Sequence, residues 1–174
     1  MVGREPESAE EWIGGLGLVA LPGESGWWAP AAVSDLDVVS HGREVAAFSS
    51  IYYLLDPERP INVWHRLESD DTHVLIAGGP VEYVHFRGDD AEVHREVLGR
   101  NVHGGELPML TIPARSWKAL RLLDETGFAV LATVVTPAWT PDIVTIGLPS
   151  EVADGLAART DWLTPELVER LNRP

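Results

Sequence analysis

A chain of 174 residues, 45% hydrophobic and 23% charged, has the size and composition of one globular domain with a sizeable core. Its formal net charge of −14 repels phosphate backbones and argues against nucleic acid as a partner. The absence of cysteine excludes disulfides and thiolate metal ligands, and no apolar run approaches the roughly 20 residues of a membrane helix. The first residues, MVGREPESAEEW, lack the apolar core of a signal peptide, so we expect a cytoplasmic protein with no membrane partner.

The first element predicted along the chain is a short helix. Ser8 and Glu11 have capping-box spacing, and Trp12, Ile13 and Leu16 form an apolar stripe. The glycines of GGLG end this helix early, and LVALPGESGWW then predicts a short strand that runs into a Pro/Gly turn. We therefore assign residues 1–15 to an N-terminal helical region.

Residues 45–147 predict many short strands separated by turns. The strand-like segments are VAAFSSIYYLL, INVWHRL, HVLIAGG, VEYVHFRG, EVHREVLG, PMLTIPA, SWKALRLL, FAVLATVV and DIVTIGL. Turn sequences such as DPERP, ESDD, GDDA and NVHGGELP separate them. Because no long helix intervenes, the pattern predicts an all-β antiparallel sandwich or barrel.

The chain ends in a predicted helix. In TDWLTPELVERLNRP, Thr164 is the expected N-cap and Pro165 the first helical residue. We expect residues 150–174 to form a helical tail, with the β-rich core at about residues 16–149 of a single domain that spans residues 1–174.

Two stretches of this sequence resemble a group of small, uncharacterised cupins. They are SSIYYLL…NVWHRLESDDTHVLIAGGPVEY and GGELPMLTIPARSWKALRLL…GFAVLATVVTPAW. The group's pattern reads approximately WHRL-SDE in the first stretch and P-x-G-x-W-Q in the second, and the resemblance covers about residues 8–147. It implies a double-stranded β-helix (jelly roll) like that of sugar-nucleotide epimerases, often dimeric, with one pocket in the mouth of the barrel.

The resemblance also implies where metal ligands would lie, since cupins bind metal through two motifs. His65 fits the leading histidine of the first motif, Asp71 its acidic ligand and Gly78 its closing glycine. Leu67 stands where the motif has its second histidine, and Lys118 replaces the histidine of the second motif. A standard site of three histidines and one glutamate is therefore not expected.

Strand geometry predicts which of these side chains share a face. If His65 points inward, Val63 and Leu67 share its face, because side chains alternate along a strand. His73 likewise shares a face with Asp71. With Lys118 and a neighbouring tyrosine (Tyr52 or Tyr53), the expected inward set is His65, Asp71, His73 and Lys118.

Three hypotheses remain open for this set. In the first, the protein is a metal-independent isomerase, epimerase, lyase or cyclase that acts on a small carbonyl-containing metabolite. His65 is then the general base, Asp71 orients it and Lys118 stabilises the developing oxyanion. In the second, His65, Asp71 and His73 bind iron, zinc or manganese. In the third, the cluster is polar decoration of a non-catalytic, small-molecule-binding protein. We favour the first and expect no cofactor and a homodimer.

Seven tryptophans are unusual beside three tyrosines and three phenylalanines. We expect Trp27, Trp64 and Trp117, with Tyr53 and His73, to bind the substrate in an aromatic pocket. Packing in the core is the alternative explanation for the tryptophans. The remaining histidines (His41, His85, His94 and His103) are expected at the surface.

Overall fold

The structure, a computed structural model, describes residues 4–88, 92–124 and 127–173. Its strands are β1 (Val19–Ala20), β2 (Trp27–Val33), β3 (Asp37–Ser40), β4 (Arg43–Ala46), β5 (Ser49–Leu55), β6 (Ile61–Leu67), β7 (Asp70–Gly78), β8 (Val81–Phe86), β9 (His94–Leu98), β10 (Met109–Ile112), β11 (Trp117–Leu122), β12 (Ala129–Thr136) and β13 (Val144–Ile146). The α-helices are α1 (Ala9–Leu16), α2 (Ser150–Leu156) and α3 (Pro165–Arg170), and 3-10 turns cover Val102–Gly104 and Ala157–Arg159.

The strands form two packed antiparallel sheets and one separate hairpin. The six-stranded sheet has the order β1-β2-β5-β12-β7-β10, and the five-stranded sheet has the order β13-β6-β11-β8-β9. Strands β3 and β4 pair only with each other among the described residues. This arrangement confirms the expected all-β jelly roll with short terminal helices.

The core has one layer between the sheets and one on each outer face. Alternation along the strands decides which side chains go where, as in β8, where Val81 and Tyr83 face inward while Val84 and Phe86 face outward. We call the layer between the sheets the interior cluster. Its buried members are Tyr53, Leu55, Leu75, Val81, Tyr83, Leu98, Leu110, Ile112, Leu120, Leu122, Ala129 and Leu131.

The terminal helices pack on the outer faces of the two sheets. Helix α1 packs its apolar stripe on the six-stranded sheet, against Leu54 and Val130. The C-terminal helices cover the five-stranded sheet, where Leu156 and Leu171 join a cluster that contains Trp64. Helix α1 covers only part of its sheet, since Met109 of β10 stays 57% exposed, whereas the space between the two sheets is buried.

The helix caps are as expected from the sequence. The Ser8 hydroxyl accepts from the Glu11 backbone N–H, and the Thr164 hydroxyl accepts from the Leu167 N–H. Pro165 occupies the first turn of α3. No helix in the described ranges is long and apolar enough to cross a membrane.

Two strand predictions differ from the structure. Strand β7 begins at Asp70, three residues before the predicted start, because Asp70, Asp71 and Thr72 pair with Thr136, Val135 and Val134 of β12. The segment VAAFSSIYYLL, predicted as one strand, is divided between β4 and β5, whereas the hairpin β3–β4 agrees with the hairpin turn that VVSHGREV predicts at His41. The first difference matters for the site, because it places Asp71 on a strand rather than in a turn.

Candidate active site

An irregularity in β6 sets the geometry of the site. His65 pairs with Lys118 and Asn62 pairs with Leu120, so two residues of β6 oppose the single Ala119 of β11. A β-bulge of this kind interrupts strict alternation. Asn62 and His65 consequently both face the interior, although they are three residues apart.

The bulge also corrects the expected face of Val63. Strict alternation predicted that Val63 would share the inward face of His65. Val63 instead joins the outer cluster with Trp64, beneath the C-terminal helices. The alternation rule fails here because a bulge adds one residue to a strand without advancing the pairing.

His65 and Lys118 lie side by side in the interior. They occupy directly opposed positions on β6 and β11 and are 4% and 1% exposed. The His65 Nδ1 atom lies 2.7 Å from the carbonyl oxygen of Val63, so Nδ1 carries a proton and donates it there. In the neutral imidazole the basic atom is therefore Nε2.

Asp71 and His73 face His65 and Lys118 from the opposite sheet. Both are buried on β7, and the Asp71 carboxylate accepts a hydrogen bond from the Lys118 ammonium. The same carboxylate oxygen is 3.0 Å from Nε2 of His73, without the angle of a hydrogen bond. The His73 Nδ1 atom lies 3.3 Å from the Thr133 hydroxyl. Asp71 is thus bound to Lys118, whereas the sequence hypothesis paired it with His65.

The carboxylate beside His65 belongs to Glu24, which sequence reasoning missed. Its Oε2 atom is 3.6 Å from Nε2 of His65, and its side chain is 16% exposed. Glu24 lies in the turn between β1 and β2, and two hydrogen bonds to backbone carbonyl groups hold this turn in place. The Glu24 carbonyl accepts from the Val63 N–H at 3.0 Å, and the Ser25 carbonyl accepts from the Tyr53 hydroxyl at 2.9 Å. The turn therefore holds Glu24 at the edge of the interior.

The backbone of this turn adopts an uncommon conformation. Ser25 is buried at φ 74°, a region that residues with a side chain rarely adopt, and it is followed by Gly26 at φ 84°. A side chain at Gly26 would overlap the Tyr53 ring. Strain of this kind persists only where surrounding contacts hold it, and it is concentrated at functional sites.

Burial shifts the pKa of every basic group in the interior. Loss of solvation lowers the pKa of His65 to about 4 and that of His73 to about 3. The same cause lowers the pKa of Lys118 to about 7. The Glu24 charge acts in the opposite direction on all three groups. At neutral pH both imidazoles are therefore uncharged, and Lys118 titrates in the physiological range.

Several interior polar atoms have no hydrogen-bond partner within the described ranges. They are Asn62 Oδ1, Asp71 Oδ1, His73 Nε2 and the Tyr83 hydroxyl. Asn62 and Tyr83 are 3% and 0% exposed. Buried polar groups are ordinarily satisfied, so these four atoms are candidate contacts for a bound polar molecule.

The aromatic residues of the predicted pocket are not brought together. Tyr53 lies in the interior, where its hydroxyl accepts from Nδ2 of Asn62 at 2.8 Å. Trp27 packs beside helix α1 and donates from its indole N–H to Asp56, while Trp64 and Trp117 lie in the outer cluster. Helices of the same chain cover these outer faces, so the three tryptophans lie away from His65.

Trp28 is the tryptophan that packs against the interior cluster. Its neighbour Trp27 faces the other way, as alternation along β2 requires. The sequence contained no signal that distinguished the two members of the WW pair. Asn62 and Tyr83 were also missed, because a single amide or phenol within a strand resembles ordinary strand composition.

The donor atoms of His65, Asp71 and His73 are those that the metal-binding hypothesis requires. Lys118 binds the carboxylate of Asp71, so a cationic side chain occupies the acidic group of the expected ligand set. No three histidine or carboxylate side chains in the described parts of the chain converge as a metal site. His65, Asp71 and His73 therefore do not fit a divalent cation as arranged.

Two surface cavities lie elsewhere. They have volumes of about 300 and 390 Å³ and adjoin each other at the start of β6, where Pro60, Ile61 and Arg170 line both. No residue of the interior polar set lines either cavity. They are grooves between the five-stranded sheet and helix α3.

Solved structures of low sequence identity share this fold. A hypothetical protein from Leishmania major matches with a TM-score of 0.81 and 23% identity, over 97% of this chain and 100% of that chain. A protein from Shewanella oneidensis matches with a TM-score of 0.79 and 22% identity, over 97% of this chain and 99% of that chain. An oxalate decarboxylase from Bacillus subtilis matches with a TM-score of 0.50 and 15% identity, over 88% of this chain and 37% of that chain.

Among curated protein sequences, none matches this chain. Residues 10–146 match the family described as "Cupin superfamily (DUF985)", and the chain therefore belongs to that family.

Proposed function

We propose that this cupin is a metal-independent enzyme that transfers a proton at a carbon atom next to a carbonyl group. Isomerases, epimerases, and some lyases and cyclases perform this step. The observation that carries the proposal is the pairing of His65 with Lys118 at directly opposed positions inside the barrel. An uncharged imidazole beside an amine that can be protonated supplies both a base and a cation to one reacting group.

Each interior group then has a defined part. The Nε2 atom of His65 removes the proton from carbon, because Nδ1 is engaged with Val63. The Lys118 ammonium stabilises the oxyanion that forms on the carbonyl oxygen, and Asp71 holds Lys118 in place. The Glu24 carboxylate, 3.6 Å from Nε2, stabilises the imidazolium that results. This distribution differs from the sequence hypothesis, in which Asp71 oriented His65.

A non-catalytic binding protein is the second candidate. The near-complete burial of His65, Asp71, His73 and Lys118 favours it, since enzymes usually expose their reacting atoms to a cleft.

The expected homodimer and the cytoplasmic location stay predictions.

The test is hydrogen exchange at carbon. Small aldehydes and ketones are incubated with the protein in D₂O, and loss of the α-proton signal is followed by NMR. The wild type should exchange the α-proton of its substrate, and His65→Gln should reduce this rate by about 10²–10⁴-fold, the usual contribution of a general base. His103→Gln, at an exposed histidine, should leave the rate unchanged. Exchange at the full rate in folded His65→Gln would remove the proposal.

A further inference from the structure

The hydrogen-bond network of the interior fixes which atom of Asn62 is free. The Tyr53 hydroxyl donates its proton to the Ser25 carbonyl at 2.9 Å. It must therefore accept its second bond, and the Asn62 amide donates that bond through Nδ2 at 2.8 Å. The carbonyl oxygen of the Asn62 side chain, Oδ1, consequently remains without a partner and is an acceptor.

Two of the other polar groups of the interior are acceptors only. The Asp71 carboxylate uses one oxygen for Lys118, and its Oδ1 atom has no partner in the described residues. The Glu24 carboxylate at the edge of the interior can only accept. The Tyr83 hydroxyl and His73 Nε2 can donate or accept, according to their protons. A ligand that satisfies this set must bring hydrogen-bond donors of its own.

The charges of the interior also restrict the kind of ligand that can bind there. Lys118 and Asp71 compensate each other as a bound pair, and burial keeps His65 and His73 uncharged at neutral pH. Because Glu24 adds a second carboxylate to the single cation of Lys118, the groups described above carry one net negative charge. A second negative charge placed here would lose its solvation and meet this carboxylate in a medium of low polarity.

From these two observations we propose that the interior takes an uncharged hydroxy-carbonyl compound, one that carries hydroxyl groups but no carboxylate or phosphate. The hydroxyl groups donate to Asn62 Oδ1 and Asp71 Oδ1, and the carbonyl oxygen faces Lys118. This inference names the substrate class of the proton transfer proposed above and depends on the same site.

The test uses three probes with one carbon frame. Dihydroxyacetone is uncharged, hydroxypyruvate replaces one hydroxymethyl group with a carboxylate, and dihydroxyacetone phosphate adds a phosphate. Binding to the intact protein is measured by ligand-observed NMR, which requires no turnover. Dihydroxyacetone should bind at least about tenfold more tightly than either anion, because each anion meets the Glu24 charge.

A variant tests the cause of the selectivity. Glu24→Gln removes the charge and leaves the backbone contacts of the turn in place, so the affinity for hydroxypyruvate should rise about tenfold relative to that for dihydroxyacetone. Glu68→Gln, a half-buried acid engaged with Arg115, is the control and should leave both affinities unchanged. Tighter binding of an anion to the wild type, or no binding of dihydroxyacetone, would overturn this substrate class. His65-dependent exchange with another class of carbonyl compound would then still support the proton-transfer function.

Discussion

The imidazole Nε2 atom of His65 lies 3.6 Å from a carboxylate oxygen of Glu24, which reaches it from the turn before β2. The contact joins a strand of the five-stranded sheet to the first loop of the six-stranded sheet. It gives the base of the proposed reaction a charged partner, while Asp71 is left to hold Lys118. The electrostatics of the site therefore depend on a loop as well as on the barrel strands.

Removing the Glu24 charge should lower the pKa of Lys118. The carboxylate of Glu24 raises that pKa against the larger effect of burial, which brings it to about 7. Without the carboxylate, the amine should lose its proton at a pH lower by roughly half a unit to one unit. NMR titration of the Lys118 side chain in wild type and Glu24→Gln measures the shift. Glu68→Gln is the control, and an unchanged or raised pKa in Glu24→Gln would contradict the assignment.

Burial of His73 should make the protein sensitive to acid. Its pKa is about 3 in the folded state against an ordinary value of 6.5, so the unfolded chain binds more protons between these limits. The free energy of unfolding therefore rises with pH across this window. The stabilising contribution of uncharged His73 is fully present above pH 6.5.

Urea unfolding of His73→Gln tests this dependence. At pH 4 the wild type should have lost about 3 kcal/mol through protonation of His73 in the unfolded chain, relative to pH 7. Over the same pH interval, the loss of unfolding free energy in His73→Gln should be smaller than that of the wild type by about 3 kcal/mol. His103→Gln, which alters an exposed histidine, should follow the wild type. Equal pH dependence in all three proteins would show that His73 is not buried in its uncharged form.

Replacing Gly26 with alanine should disturb the turn that holds Glu24. Gly26 has φ 84°, and an added side chain would overlap the Tyr53 hydroxyl. Gly42 has φ 75° but no atom within 4 Å of an added side chain, so Gly42→Ala is a matched control for backbone strain alone. Gly26→Ala should lower the free energy of unfolding by about 1–3 kcal/mol more than Gly42→Ala does. Equal losses would mean that Tyr53 and the turn adjust freely.

The Lys118–Asp71 pair should matter more for function than for stability. Lys118→Met leaves the Asp71 carboxylate buried without its cation, which should cost about 3–5 kcal/mol. The double variant Lys118→Met with Asp71→Leu removes both charges and should recover most of that loss, because an apolar pair needs no desolvation. Chemical unfolding measures the stability, and α-proton exchange should be lost in both variants. A double variant less stable than Lys118→Met would show that the pair is primarily structural.

Much of the fold followed from the sequence, because it depends on local patterns. The limits of β6 agree with those predicted from INVWHRL, and the caps at Ser8 and Thr164 lie where their side chains indicated. His65, Asp71 and Lys118 were expected to face inward, with His73 beside them if Asp71 does so, and all four are buried there. Alternating apolar residues bounded by turns are sufficient to predict such strands, and they predict the faces wherever the pairing is regular.

Tertiary structure decided which of these side chains touch. Because of the bulge opposite Ala119, Asn62 shares the inward face with His65 and Val63 faces outward. No pattern in the sequence predicts this bulge. Glu24 became the neighbour of His65 because a turn folds back over β6, a contact between segments far apart in the chain. Trp27, Trp64 and Trp117 lie on the outer faces beside the terminal helices, since their positions depend on what packs on each sheet. Local periodicity was sufficient for the strands and most of their inward residues, whereas the partners and the charge balance of the interior depend on the packing of distant segments.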